Sequence, residues 1–144
     1  MIDYHIDNLN QFKVLTNYNL QKPNLKVYSI NEIILEKIRA CITREQFKPR
    51  DVFDLYLINL ENDVFSMDKD NIFRKLSSSP FDFSLIIPNI KRFVDLDIDF
   101  SRELEDIYNL SLIEFDEEDF ISFNEKLIGY LKGVGVEFLE ENKK

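Results

Sequence analysis

The segment from Val27 to Leu60, VYSINEIILEKIRACITREQFKPRDVFDLYLINL, constrains this chain more than any other. Ser29-Ile30-Asn31-Glu32 has the form of a capping box: the Ser29 hydroxyl can accept from the Glu32 N–H, and the Glu32 side chain can reach back to the Ser29 N–H. It predicts a helix that starts at Ile30, with Tyr28 and Ile33 placed to close a hydrophobic staple. Ile30, Ile33, Ile34, Ile38, Cys41 and Ile42 then recur at helical spacing and form one apolar stripe. A second helix is predicted from about Pro49 to Asn59. Pro49 suits a first helical position, where its missing N–H costs nothing, and Asp51 falls in the first turn, where the macrodipole favours a carboxylate. Val52, Phe53, Leu55, Tyr56, Leu57, Ile58 and Leu60 make this helix apolar almost all round, so it should be central.

Lys37 falls inside the stripe of the first helix. An amine there must be paired, shift its pKa or snorkel, with its stem packed and its head in water. Asp51 and Asp54 share a face of the second helix, and Arg50 can reach Asp54 at i+4. Dipole and ion-pair chemistry at a helix start accounts for such acids without any catalytic role. Arg39 and Arg44 lie off the stripe and are expected to be solvated.

Ser29-x-x-Glu32, Glu36-Lys37-x-Arg39-Ala40, Arg44 and Lys48-Pro49-Arg50-Asp51-x-x-Asp54-Leu55-Tyr56 together resemble the second half of the AbiEii/AbiGii-type nucleotidyltransferase toxins, within the DNA polymerase β-like superfamily. The resemblance is strongest from about Leu25 to Leu60. It implies transfer of a nucleotidyl group from an NTP with Mg²⁺. It implies Lys37 as the lysine that holds triphosphate oxygens, Asp51 or Asp54 as the acid of the late motif, and Arg50 as a further nucleotide contact. It also implies a toxin of a toxin–antitoxin or phage-defence system. The early family parts, a Gly/Ser-rich loop and a strand with paired acids, have no counterpart here. The three glycines are Gly129, Gly133 and Gly135, all late. A truncated or partial member, silent on its own, is therefore expected. Its partners would be an antitoxin-like protein or the missing N-terminal half, with NTP and RNA as ligands only of a complete enzyme.

The chain has 144 residues, enough for one domain, 1–144, with a real core. The lone Cys41 can make no internal disulfide and suggests a reducing compartment. No apolar run reaches membrane length and MIDYHID lacks the features of a signal peptide, so a cytoplasmic protein is expected. The net charge of −9 argues against broad nucleic-acid binding. From Lys26 to Arg50, however, six Lys/Arg stand against three acids, a local +3 that coincides with the motif segment.

Elsewhere, Ile2, Tyr4 and Ile6 alternate with Asp3, His5 and Asp7, a strand pattern. The superfamily resemblance would let Asp3 or Asp7 serve as a strand acid, while alternation alone explains the same spacing. The single His5 makes a zinc site very improbable on ligand count. Asn8 to Gln21 reads as a loop, Lys22-Pro23-Asn24 as a turn and Leu25 to Tyr28 as a second short strand. A third helix is predicted over about Lys69 to Leu76 with Asp68 or Asp70 as cap, followed by a break at Ser77-Ser78-Ser79-Pro80. Phe81 to Phe93 should hold a helix interrupted at Pro88. Val94 to Phe100 alternates strictly and reads as an exposed strand or extended loop with outward acids, not a metal-binding strand. Ser101 to Asn109 should be helical with Leu104 and Ile107 inward. The last long helix is expected from about Glu117 to Leu131, stopped by Gly133-Val134-Gly135.

The fold expected is α+β and mostly α-helical: a small N-terminal strand pair followed by a helical bundle. A non-catalytic helical protein-interaction module is the alternative to a partial nucleotidyltransferase.

Overall fold

The structure, a computed structural model, describes residues 2–5, 24–78, 83–110 and 114–143. The expected loop over Asn8 to Gln21 and most of the turn after it lie outside the described residues. The chain separates into two compact units, Met1–Ile33 and Ile34–Lys144.

In the first unit, Ile2–His5 (β1) and Asn24–Val27 (β2) run antiparallel, with Ile2 opposite Val27 and His5 opposite Asn24. An isolated two-stranded ladder is marginal in water. It does not support the N-terminal strand pair as a layer of the fold, and the fold is helical. Ser29 acts as predicted: its hydroxyl accepts from the Glu32 N–H at 3.2 Å, and helix α1 (Ile30–Thr43) begins at Ile30. Tyr28, Ile30 and Ile33 are exposed, so the apolar stripe does not extend into the first turn.

The second unit is built of helices. After α1 come α2 (Pro49–Asn59), a 3₁₀ turn (Val64–Ser66), α3 (Lys69–Ser77), α4 (Phe83–Asp95), α5 (Phe100–Leu110) and α6 (Glu117–Glu141). Side chains at three helix starts behave as their sequences suggest. Asp63 caps the 3₁₀ turn, Asp68 caps α3 through the Asp70 N–H, and Asp116 caps α6 through the Asp119 N–H. The core draws on every helix: Ile34, Ile38 and Ile42 of α1, Val52 and Leu55 of α2, Ile72 and Leu76 of α3, Ile86 and Ile90 of α4, Ile107 of α5, and Phe120, Leu127, Leu131 and Phe138 of α6. Each such side chain contributes roughly 1.5–3 kcal/mol on burial. Rings fasten α2 to α6: Tyr56 lies 5.2 Å from Phe120 and 5.5 Å from Phe123, centroid to centroid.

Two sequence expectations about helix ends fail, for identifiable reasons. α4 runs straight through Pro88. A proline removes one i→i−4 bond, but Ile86, Ile90 and Phe93 are buried to either side of it, and their packing holds the helix together. α6 passes through Gly133 and Gly135 without stopping. Gly135 is a contact point: a Cβ there would sit 3.0 Å from Val94 Cγ2 and 3.5 Å from Ile90 Cγ2, so a side chain would need Val94 of α4 to give way by a few tenths of an ångström. Of the alternating stretch Val94–Phe100, Val94 and Asp95 end α4 and Phe100 begins α5; only 96–99 form the expected extended loop, with Asp97 and Asp99 outward.

Candidate functional site

α1 presents Ile34, Leu35, Ile38, Cys41 and Ile42 to the core. Lys37 lies beside them with 32% of its side chain exposed. The turn after Thr43 returns the chain into α2, where Pro49 opens the helix and Lys48 provides no side-chain cap. Asp51 is the buried acid of this first turn, at 3% exposure, and its N–H donates to the Lys48 carbonyl at 3.1 Å. A carboxylate so far from water needs cationic partners.

It has two. Arg44 Nε donates to Asp51 Oδ2 at 2.6 Å and Arg44 Nη2 donates to Oδ1 at 3.3 Å. The Lys37 amine stands 3.7 Å from Asp51 Oδ1 and donates to Asp54 Oδ2 at 2.6 Å. The result is an alternating row, Arg44–Asp51–Lys37–Asp54, that joins α1, the turn and α2. Its formal charge sums to zero, and it fastens the two helices while about a third of the Lys37 side chain, 32%, stays exposed.

The structure therefore brings Lys37, Asp51 and Asp54 together. It does not bring Arg50 in: that side chain is exposed and has no ion pair among the described residues, and the expected Arg50–Asp54 contact is replaced by Lys37–Asp54. Arg44 is exposed, as expected, and is also the nearest partner of the buried acid. Arg39 is also engaged, donating to Glu36 at 2.7 and 3.1 Å, and Lys75 of α3 meets the same carboxylate at 2.7 Å. Burial pushes the Glu36 carboxyl up, but the hydrogen bonds from Lys75 and Arg39 outweigh it and hold the group below its ordinary range. Helical periodicity reports which residues share a face of one helix. It does not report pairs made across a turn, such as Arg44–Asp51, and no other sequence signal marked them.

Burial, reinforced by Asp51, pushes the Cys41 thiol well up, so it is a packing residue with no nucleophilic character. Nor do the acids suit a divalent cation. Both Asp51 oxygens already face cations, and no group of three or more His, Cys, Asp or Glu among the described residues could hold a metal. The implied Mg²⁺ does not fit these residues.

Two open clefts flank the row. One, of about 490 Å³, is lined by Phe47, Phe93, Glu103 and Asp106 among others. The second, of about 610 Å³, lies between α1 and α4. Arg44 lines both, whereas Lys37, Asp51 and Asp54 line neither. No helix among the described residues is long and apolar enough to cross a membrane.

The sequence model of one protein family, described as "Nucleotidyl transferase AbiEii toxin, Type IV TA system", matches residues 3–132. No curated protein and no solved structure matches the chain. The matched span reaches well beyond the Leu25–Leu60 region in which the motif residues cluster.

Proposed function

The chain belongs to the AbiEii nucleotidyl transferase toxin family, and on that premise we propose that the Arg44–Asp51–Lys37–Asp54 row is the phosphate-facing part of a nucleotidyltransferase-like site in a toxin–antitoxin system. The observation that carries the reading is the Lys37 amine, held between Asp54 at 2.6 Å and Asp51 at 3.7 Å on a side chain that stays partly exposed. An ammonium has three donors; Asp54 takes one as a hydrogen bond, and Asp51, at 3.7 Å, is in ion-pair range only. A donor remains for an oxygen of an NTP substrate, which Lys37 would hold as a point charge. Asp51 and Arg44 act as positioning residues for that amine; Arg50, exposed on the same helix as the two acids, stands outside the row.

The row does not provide a complete reaction centre. All three glycines lie inside α6, so none forms a backbone cradle for phosphates, and the described acids do not suit a metal. We read the chain as the late part of a family site: silent in transfer by itself, and dependent on a further polypeptide segment for the glycine loop and the early acid pair. An antitoxin is the partner implied by the system type.

The test is to incubate the full chain with labelled NTPs, a divalent cation and an RNA pool, and in parallel to measure NTP binding by photocrosslinking. The expected result is no labelled RNA, together with crosslinking that falls at least tenfold in Lys37→Ala. Crosslinking that does not depend on Lys37 overturns the site. Label transfer that vanishes in Lys37→Ala would keep the site and overturn its incompleteness.

A further inference from the structure

The cleft between α1 and α4 gathers three guanidinium groups, Arg39, Arg44 and Arg92; Glu45 is the acid of its lining, and Glu36 and Asp51 pair with Arg39 and Arg44 from outside it. This is an unusual concentration in a chain of net charge −9. Arg39 and Arg44 belong to the basic stretch around the motif, whereas Arg92 comes from α4, nearly fifty positions later. Two hydrogen bonds bring it there. Asn89 Nδ2 donates to the Thr43 carbonyl at 3.0 Å, and Arg92 Nη1 donates to the Glu45 carbonyl at 2.8 Å.

Each guanidinium is anchored by part of its donor set. Arg39 uses Nε and Nη2 on Glu36, and Arg44 uses Nε and Nη2 on Asp51. Arg92 uses Nη1 on Glu45 and Asn89. A guanidinium carries five N–H donors, and the remaining ones have no partner among the described residues. Anchoring on one edge lowers the conformational entropy lost when the other edge takes a ligand. Leu85, 60% exposed, and Pro88 add an apolar wall to the same cleft.

We propose that this cleft is a binding site for phosphate groups, separate from the Lys37 amine and joined to it through Arg44. Three anchored guanidiniums suit a tetrahedral oxyanion with several acceptor oxygens, whereas a planar carboxylate is satisfied by one arginine fork. The choice of phosphate among oxyanions rests on the nucleotidyltransferase reading; the existence of an anion site does not. A nucleotide's phosphates and the backbone of a single-stranded nucleic acid present the same group, and the apolar wall accommodates a base in either case.

The test titrates the full chain with tripolyphosphate and, separately, with a fluorescent single-stranded RNA 12-mer, from low to moderate salt. Both should bind, and binding should weaken as salt rises. Arg92→Gln, at an exposed position, and Arg39→Gln should each weaken binding at least several-fold and reduce the magnitude of the RNA log–log salt slope by about one. Arg92→Lys should retain more affinity than Arg92→Gln. RNA bound far more tightly than tripolyphosphate identifies the backbone as the occupant, and comparable affinities identify free phosphate groups. Lys37→Ala separates this site from the one above: binding that survives Lys37→Ala but falls in Arg92→Gln supports the cleft even if no nucleotidyl transfer exists. Binding lost in Lys37→Ala and untouched in both arginine variants overturns the proposal, as do no binding at low salt and equal displacement by glutarate.

Discussion

Arg44 Nε donates to Asp51 Oδ2 at 2.6 Å, seven positions away across the turn between two helices, and Asp51 is almost wholly buried. This pair, more than Lys37–Asp54, determines how α1 and α2 meet at the site. The two bridges sit in different surroundings: Asp51 is 5% exposed in its side chain, while Lys37 and Asp54 are 32% and 30% exposed. They should therefore respond differently to mutation.

Asp51→Ala removes the buried acid and leaves Arg44 and Lys37 without their shared counter-charge. Those cations are 40% and 32% exposed and can turn to water, so the loss is that of the charge-assisted hydrogen bonds, about 1.5–3 kcal/mol, and urea unfolding should show a loss of that order. Lys37→Met should cost no more than about 1 kcal/mol, because its partner Asp54 is partly hydrated and can turn to water. Equal, large losses in both variants, recovered in the double mutant, would make the row a structural clamp of a helical interaction module and remove the reason to treat Lys37 as a site residue.

Arg50→Gln tests the remaining motif cation. Its side chain is exposed, so stability should change by less than about 0.5 kcal/mol. NTP crosslinking should fall several-fold if Arg50 adds charge to the phosphates. Unchanged crosslinking would strike Arg50 from the site without touching Lys37.

Gly133 and Gly135 should part company. Gly133 is exposed, with open space where a Cβ would stand, and Gly133→Ala should stabilise α6 by up to about 1 kcal/mol through helix propensity alone. Gly135→Ala would press a methyl group to 3.0 Å from Val94 Cγ2, and crowding of that kind offsets the gain. Thermal unfolding of the two variants should differ in that order. A Gly135→Ala protein as stable as Gly133→Ala would show that α4 and α6 are not in close contact there.

Glu103 should make stability depend on pH. Burial pushes its carboxyl up from 4.5 to about 7, with Asp106 and Asp99 adding and Arg102 opposing, and Oε2 is buried without a hydrogen-bond partner. A carboxyl with a raised folded pKa keeps its proton longer in the folded state. Its contribution is fully present below 4.5 and is lost as pH rises through about 7. Urea midpoints measured from pH 4.5 to 8 should fall across that window, and Glu103→Gln should flatten this part of the curve. A wild-type profile that matches Glu103→Gln throughout would rule the effect out.

Local signals in the amino-acid sequence were sufficient wherever the physics is local. Ser29 set the start of α1 through a hydrogen bond three residues away, Pro49 and Asp51 set the start of α2, and Asp68 capped its helix. Periodicity put Lys37 on the stripe of one helix and Asp51 and Asp54 on one face of the next, and only the family resemblance joined the three into one motif. Tertiary structure alone decided the rest. Pro88 and Gly133–Gly135 are strong breakers by intrinsic propensity, yet burial of Ile90, Phe93, Val134 and Phe138 outweighed it. Ile30 and Ile33 fit a helical stripe but stay exposed, because periodicity reports which residues share a face and not whether anything covers it. Arg44 and Arg92 reach their partners across a turn and between separate helices, through distances that exist only once the chain has folded. For that reason the cationic half of the site could not be read before its geometry was known.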